Sequence, residues 1–85
     1  LKDRAGRSRV LMRVDRLIHG NPGQYRNLTE GVSELKIDAG PGYRVYYSFR
    51  GDKLLLLLAG GNKATQNKDI DKALELNRFF REFPQ

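Results

Sequence analysis

The run Gly40-Pro41-Gly42, followed by Tyr43-Arg44-Val45-Tyr46-Tyr47-Ser48-Phe49-Arg50, constrains this chain more than any other stretch. Glycine admits positive φ and proline fixes its own, so the first three residues interrupt any regular element and turn the chain. The next eight alternate. Tyr43, Val45, Tyr47 and Phe49 fall on one face of an extended strand, and Arg44, Tyr46, Ser48 and Arg50 fall on the other. A strand patterned this way packs a core with its first face and offers an anion an arginine-tyrosine surface with its second.

The flanking segments build a sheet around it. Residues 32–38 alternate as well, with Leu35 and Ile37 opposed to Glu34, Lys36 and Asp38, so a half-buried strand precedes the break and an antiparallel hairpin spans it. Arg50-Gly51-Asp52-Lys53 marks a second turn. The unbroken apolar run from Leu54 to Ala59 then predicts a strand covered on both faces and therefore central in the sheet. Gly60-Gly61-Asn62 ends it.

Two helices bracket these strands. Val10, Leu11, Val14, Leu17 and Ile18 recur at spacings of three and four, which predicts a helix over 4–19, with Asp3 as N-cap and Gly20-Asn21-Pro22-Gly23 as its stop. Residues 21–31 read as a loop that Tyr25 and Leu28 pin down. From Thr65 onward the period is helical again: Ile70, Ala73 and Leu74 form a stripe that Leu76, Phe79, Phe80 and Phe83 extend. Thr65 or Asn67 caps this helix, Asp69 and Asp71 suit its positive end, and Pro84 lies beyond it. Its apolar content exceeds what one small sheet covers and points to a partner surface.

Eighty-five residues make one small domain, near the lower limit for a self-supporting core. With no cysteine there is no disulfide framework and no thiolate metal site, one histidine cannot make a zinc site alone, and no cofactor is implied. His19, at a helix end, complements the helix dipole. The carboxylates show no acid–base pairing and no serine has an evident histidine base, which argues against conventional hydrolase chemistry. No membrane-length apolar run or signal-peptide block occurs, so a soluble, cytoplasmic protein is expected. Sixteen Lys and Arg against ten Asp and Glu give a formal charge of +6, favouring polyanions. Lys2, Arg4, Arg7, Arg9, Arg13 and Arg16 concentrate that charge on the first helix, as a solvated face or as a contact for RNA or an acidic protein.

A mid-strand arginine must find solvent, a carboxylate or a phosphate, which singles out Arg44. Glu34 or Asp38 offers it a structural partner across the hairpin. Lys36 shares the polar parity with Arg44 and Tyr46, a combination that suits single-stranded RNA. The loop Gly60-Gly61-Asn62-Lys63-Ala64-Thr65-Gln66 presents backbone N–H groups and the Lys63 charge at a helix start. It lacks both the P-loop spacing and the dinucleotide fingerprint, and an ordinary strand-to-helix connection explains it as well.

Taken in order, Gly31-Val32-Ser33-Glu34-Leu35-Lys36-Ile37, Gly40-Pro41-Gly42-Tyr43-Arg44-Val45-Tyr46-Tyr47, Leu57-Leu58-Ala59-Gly60-Gly61-Asn62-Lys63-Ala64-Thr65-Gln66 and Asp69-Ile70 with Lys72-Ala73 resemble addiction-module killer proteins. These are the HigB-like branch of the RelE/ParE toxin superfamily of prokaryotic type II toxin–antitoxin systems. Leu1-Lys2-Asp3, Asp15-Arg16-Leu17 and Gly20-Asn21-Pro22-Gly23 extend the resemblance over almost the whole chain. It implies a small α+β fold of RelE type, with an antiparallel sheet packed against a helical hairpin and a further helix at the C-terminus. Family members begin with a strand and most of a first helix ahead of the equivalent of Leu1. Residues 1–85 are therefore expected to form a single domain with that strand missing and the hairpin truncated, and its exposed edge or apolar C-terminal helix to support a homodimer.

The resemblance further implies an endoribonuclease that inhibits translation by cutting mRNA, in some relatives on the ribosome, without a metal. A DNA-binding antitoxin would neutralise it. Arg44 matches the family's strand arginine and is the expected phosphate clamp. Lys36 and Lys63 are candidates for proton transfer or charge stabilisation. Tyr43 and Tyr46 are candidates for base stacking, one of them facing the site, with Arg50 and Gln66 as further RNA contacts. Two alternatives stand beside this: a ParE-like toxin that binds DNA gyrase, and a non-catalytic RNA-binding remnant.

Overall fold

The computed structural model describes residues 4–38, 42–60 and 63–82. Helix α1 (Arg4–Ile18) leads into strands β1 (Tyr25–Asn27), β2 (Ser33–Ile37), β3 (Tyr43–Arg50) and β4 (Lys53–Gly60), and a 3-10 turn (Lys63–Thr65) opens helix α2 (Gln66–Glu82). The strands form one antiparallel sheet in the order β1-β2-β3-β4. The α+β architecture and the hairpin across residues 38–42 are as the sequence implies. Asp3 and Phe83, assigned to the helix ends, lie outside the described residues, as do Ala39–Pro41 and Gly61-Asn62 of the two loops.

The helices take opposite faces of the sheet. On one, Leu17 with Val10 and Val14 of α1 packs on Leu35, Ile37, Tyr43, Val45 and Tyr47, with Leu54 at the margin. On the other, Ile70, Ala73, Leu74 and Phe80 of α2 pack around Val32, Tyr46 and Leu57. Alternate residues of β3 thus belong to different cores. The parity that reads as a polar, arginine-tyrosine face carries Tyr46 and Ser48, and both are buried. Burial under α2 overrides the polarity of the two hydroxyls.

Helix α1 ends as its glycine demands. Gly20 adopts φ 88°, Asn21 N–H donates to Arg16 C=O at 2.8 Å and Gly20 N–H to Leu17 C=O at 3.0 Å, the paired bonds of a Schellman cap. Beyond it the expected loop contains a strand. β1 has three residues, all exposed, too short and too polar to show a period. Tertiary contact makes it: Arg13 donates to the carbonyls of Pro22 at 3.0 Å, Gln24 at 3.1 Å and Lys36 at 2.8 Å, holding the chain beside β2.

The leucine strand also departs from expectation, because β4 is the edge of the sheet and not its centre. The register shifts between Tyr46 and Tyr47: Tyr46 pairs with Leu58 and Tyr47 with Leu56, leaving Leu57 as the extra residue of a β-bulge. The bulge turns Leu55, Leu57 and Leu58 to the α2 core while Leu54 stays with α1. Two cores drawing on one strand produce the unbroken apolar run. Leu56 is left 49% exposed beside Leu57 at 9%.

Adjacent leucines should therefore differ in weight. Leu57→Ala is expected to cost about 2–5 kcal/mol in urea unfolding, whereas Leu56→Ala should stay within about 1 kcal/mol. Equal losses at both positions would show that the bulge does not aim them differently.

Candidate functional site

Lys36 and Arg44 are direct cross-strand partners, as are Glu34 and Tyr46, and Arg26 of β1 pairs with Glu34 from the other side. All five lie on the sheet face that α2 covers only in part. The stripe of α2 that packs the core, through Ile70 and Ala73, begins one turn earlier with Gln66. Packing therefore delivers that amide to the same place. The result is an open cleft of 330 Å³ lined by Gln24, Tyr25, Arg26, Glu34, Lys36, Arg44 and Gln66.

Glu34 lies buried at its floor. Gln66 Nε2 donates to Glu34 Oε2 at 3.0 Å, Arg26 Nη2 stands 3.3 Å from Oε1, and Arg44 Nε stands 3.9 Å from Oε2. Isolated burial of a carboxylate costs several kcal/mol, so these contacts are what allow it. Among the described residues Arg44 Nε and the Tyr46 hydroxyl make no well-formed hydrogen bond, although the hydroxyl is close enough to Glu34 for the carboxylate to favour its protonated form. Burial, with the negative charge of Glu34 behind it, pushes the Tyr46 phenol far above its ordinary value. With three cations against one carboxylate, the cleft retains a positive excess suited to an anion.

The sequence-derived residues divide. Arg44, Lys36 and Gln66 line the cleft. Lys63 is exposed in the turn before α2 and does not line it. Tyr43 packs in the α1 core and Tyr46 is wholly enclosed, so neither ring has a free face for a base. Arg50 sits six residues along β3, roughly 20 Å from Arg44 at strand spacing. There its Nη2 donates to Asn77 C=O at 3.5 Å. That end is structural: Ser48 Oγ donates to Asn77 Oδ1 at 2.9 Å, Asn77 Nδ2 donates to Glu30 C=O at 3.0 Å, and Arg78 pairs with the Glu30 carboxylate. Arg26 is not singled out by the sequence because β1 is not, and of the two residues expected to pin this segment only Leu28 packs against a core, while Tyr25 is left at the surface. Tyr25, 48% exposed at the cleft rim, is the aromatic ring that solvent can reach there. Glu34 was legible as a partner for Arg44, yet its burial was not.

Among the described residues no group of three His, Cys, Asp or Glu is placed to hold a metal, and no helix is long and apolar enough to cross a membrane.

Residues 3–78 match the family described as phage-derived protein Gp49-like. The chain belongs to the Gp49-like family. A relative, an uncharacterized protein of Haemophilus influenzae, is 42% identical over 73 residues, which cover 86% of this chain and 74% of the relative. No solved structure matches. As a Gp49-like protein, the chain keeps its cationic cleft within the span shared with the family, since Gln24 through Gln66 all fall inside 3–78.

The Tyr46 shift carries a sign. An unfolded chain releases the phenolic proton near pH ~10, whereas the folded chain retains it, so stability falls as pH rises beyond that value. Tyr46→Phe should flatten this alkaline loss in thermal melts, leaving the smaller slope of Tyr47, which burial also raises. At neutral pH the same variant should lie within about 1 kcal/mol of the parent, because among the described residues the hydroxyl makes no well-formed hydrogen bond. An unchanged alkaline slope would place the titration elsewhere.

Proposed function

We propose that this Gp49-like protein is the toxin of a type II toxin–antitoxin system, acting as a metal-independent endoribonuclease on mRNA. The observation that carries this reading is the convergence of Arg26, Lys36 and Arg44 in one open cleft beside the exposed Tyr25 ring. Phosphate clamping and base stacking are the two contacts single-stranded RNA requires, and both are available there. The family-level resemblance of the sequence to RelE/ParE toxins supports the same assignment.

In such a reaction the ribose 2′-oxygen attacks the adjacent phosphorus, the bond from phosphorus to the 5′-oxygen breaks, and a 2′,3′-cyclic phosphate remains. The 2′-hydroxyl loses a proton and the 5′-oxygen gains one. Arg44 is the clamp on the charge that builds at phosphorus. Lys36, its cross-strand neighbour, moves a proton or stabilises charge, Gln66 and Arg26 hold the phosphate's surroundings, and Lys63 meets a flanking phosphate. A small DNA-binding antitoxin would complete the system.

A second reading, a ParE-like toxin that binds DNA gyrase, is favoured by one observation. Leu11 and Ile18 of α1, with Phe49 and Leu56 of the strands, are each about half exposed or more, and none of them lines the cleft. Exposed apolar side chains of this kind suit a protein partner.

The deciding experiment is mRNA cleavage in a translating extract. The parent should cut, and Arg44→Ala should lower the rate by roughly 10²–10³ with its melting transition retained. Intact mRNA with the parent, together with loss of gyrase supercoiling, would establish the second reading. If purified RNA is also a substrate, a chelator should leave cleavage of it unchanged.

A further inference from the structure

A buried carboxylate in an anion-binding cleft is a paradox of charge, and its geometry points to a role. Glu34 faces Arg44 through Nε, the inner nitrogen of the guanidinium, at 3.9 Å. Among the described residues Nε makes no hydrogen bond, so at this separation Glu34 acts on it through charge, and the Arg44 side chain is 11% exposed at the cleft wall. Guanidinium is planar and its five N–H groups are fixed in a fork. A carboxylate that attracts the Nε side therefore turns the other edge away from itself. Glu34 is in turn fixed, by Gln66 from α2 and Arg26 from β1, so its position is set by three elements of the fold.

We infer that Glu34 is a positioning residue, one that holds Arg44 with its outer amino edge toward the cleft so that a single-stranded RNA phosphate meets it ready-aligned. The inference rests on the cleft being an RNA site. It adds that the negative charge at its floor strengthens phosphate binding and does not merely tolerate it. Simple electrostatics demands the opposite, since a carboxylate near a phosphate repels it. The two accounts differ in sign.

The test uses a fluorescent single-stranded RNA with every 2′-hydroxyl methylated, which binds but cannot be cleaved, titrated with the parent, Glu34→Gln, Arg44→Ala and the double variant. Circular dichroism melts accompany each titration. Glu34→Gln keeps the shape and a hydrogen-bonding capacity but removes the charge. It should weaken binding about tenfold in the parent background, the scale of one charge-assisted contact, and produce no further loss in the Arg44→Ala background. Equal or tighter binding by Glu34→Gln would overturn the inference, as would the same loss in both backgrounds, because Glu34 would then not act through Arg44. Should Glu34→Gln fail to fold, Glu34→Asp supplies the contrast by keeping the charge but drawing it back from Arg44 Nε by one methylene. A loss of about tenfold in the parent background that is absent in the Arg44→Ala background supports the inference, and unchanged binding overturns it. Absence of binding by the parent would overturn both the inference and the RNA reading of the cleft. Binding without cleavage of the unmodified RNA would remove only the nuclease, leaving the Glu34 comparison to decide the rest.

Discussion

Two-sided burial of β3 is the constraint on which this structure rests. A sheet with apolar groups on both faces must be covered twice, and the described chain offers one helix for each side. β3 lies between β2 and β4, pairs with both, and sends alternate side chains to the two cores. Neither helix spans the whole sheet. Where α2 falls short, over the β1–β2 side, the polar residues of three strands come to the surface together, and the cleft is the part of the sheet left uncovered.

The chemistry of that opening follows from the same packing. Glu34 would be an ordinary solvated residue on an open sheet. With α2 laid across its neighbours it is buried, and a buried carboxylate needs cations and donors around it. Arg26, Arg44 and Gln66 meet that need from β1, β3 and α2. Electrostatics therefore ties the floor of the cleft to the arrangement of elements that made it.

Much of this was written in local patterns. The helix periods, the glycine stop after Ile18, the hairpin alternation around residues 38–42 and the shared parity of Lys36 and Arg44 are all short-range properties, and short-range rules read them. What escaped depends on contacts between distant residues. β1 exists because Arg13 reaches three carbonyls, which no window over residues 25–27 reveals. The leucine run looked central because a bulge splitting one strand between two cores leaves the same apolar signature as burial on both faces. Tyr46 looked like a surface ring because alternation gives parity but not which face a later helix will cover. Gln66 entered as part of a loop motif, and its place in the cleft depends on the packing of α2.

The division of β3 between two cores also bears on how this sequence can vary. Exchanging one side chain for another disturbs one side of the sheet. Adding or deleting a single residue between Arg44 and Arg50 would do something different in kind, because it moves every side chain on one side of the change to the opposite face. With the Arg50 end held in place, Arg44 would turn toward α1 and Tyr43 toward the cleft. Across these eight positions the number of residues is held as firmly as their identity, and substitution is the route left open. β4 shows the exception: its extra leucine is absorbed in a bulge at the rim of the sheet, where an added residue changes the aim of a side chain without exchanging the two interiors.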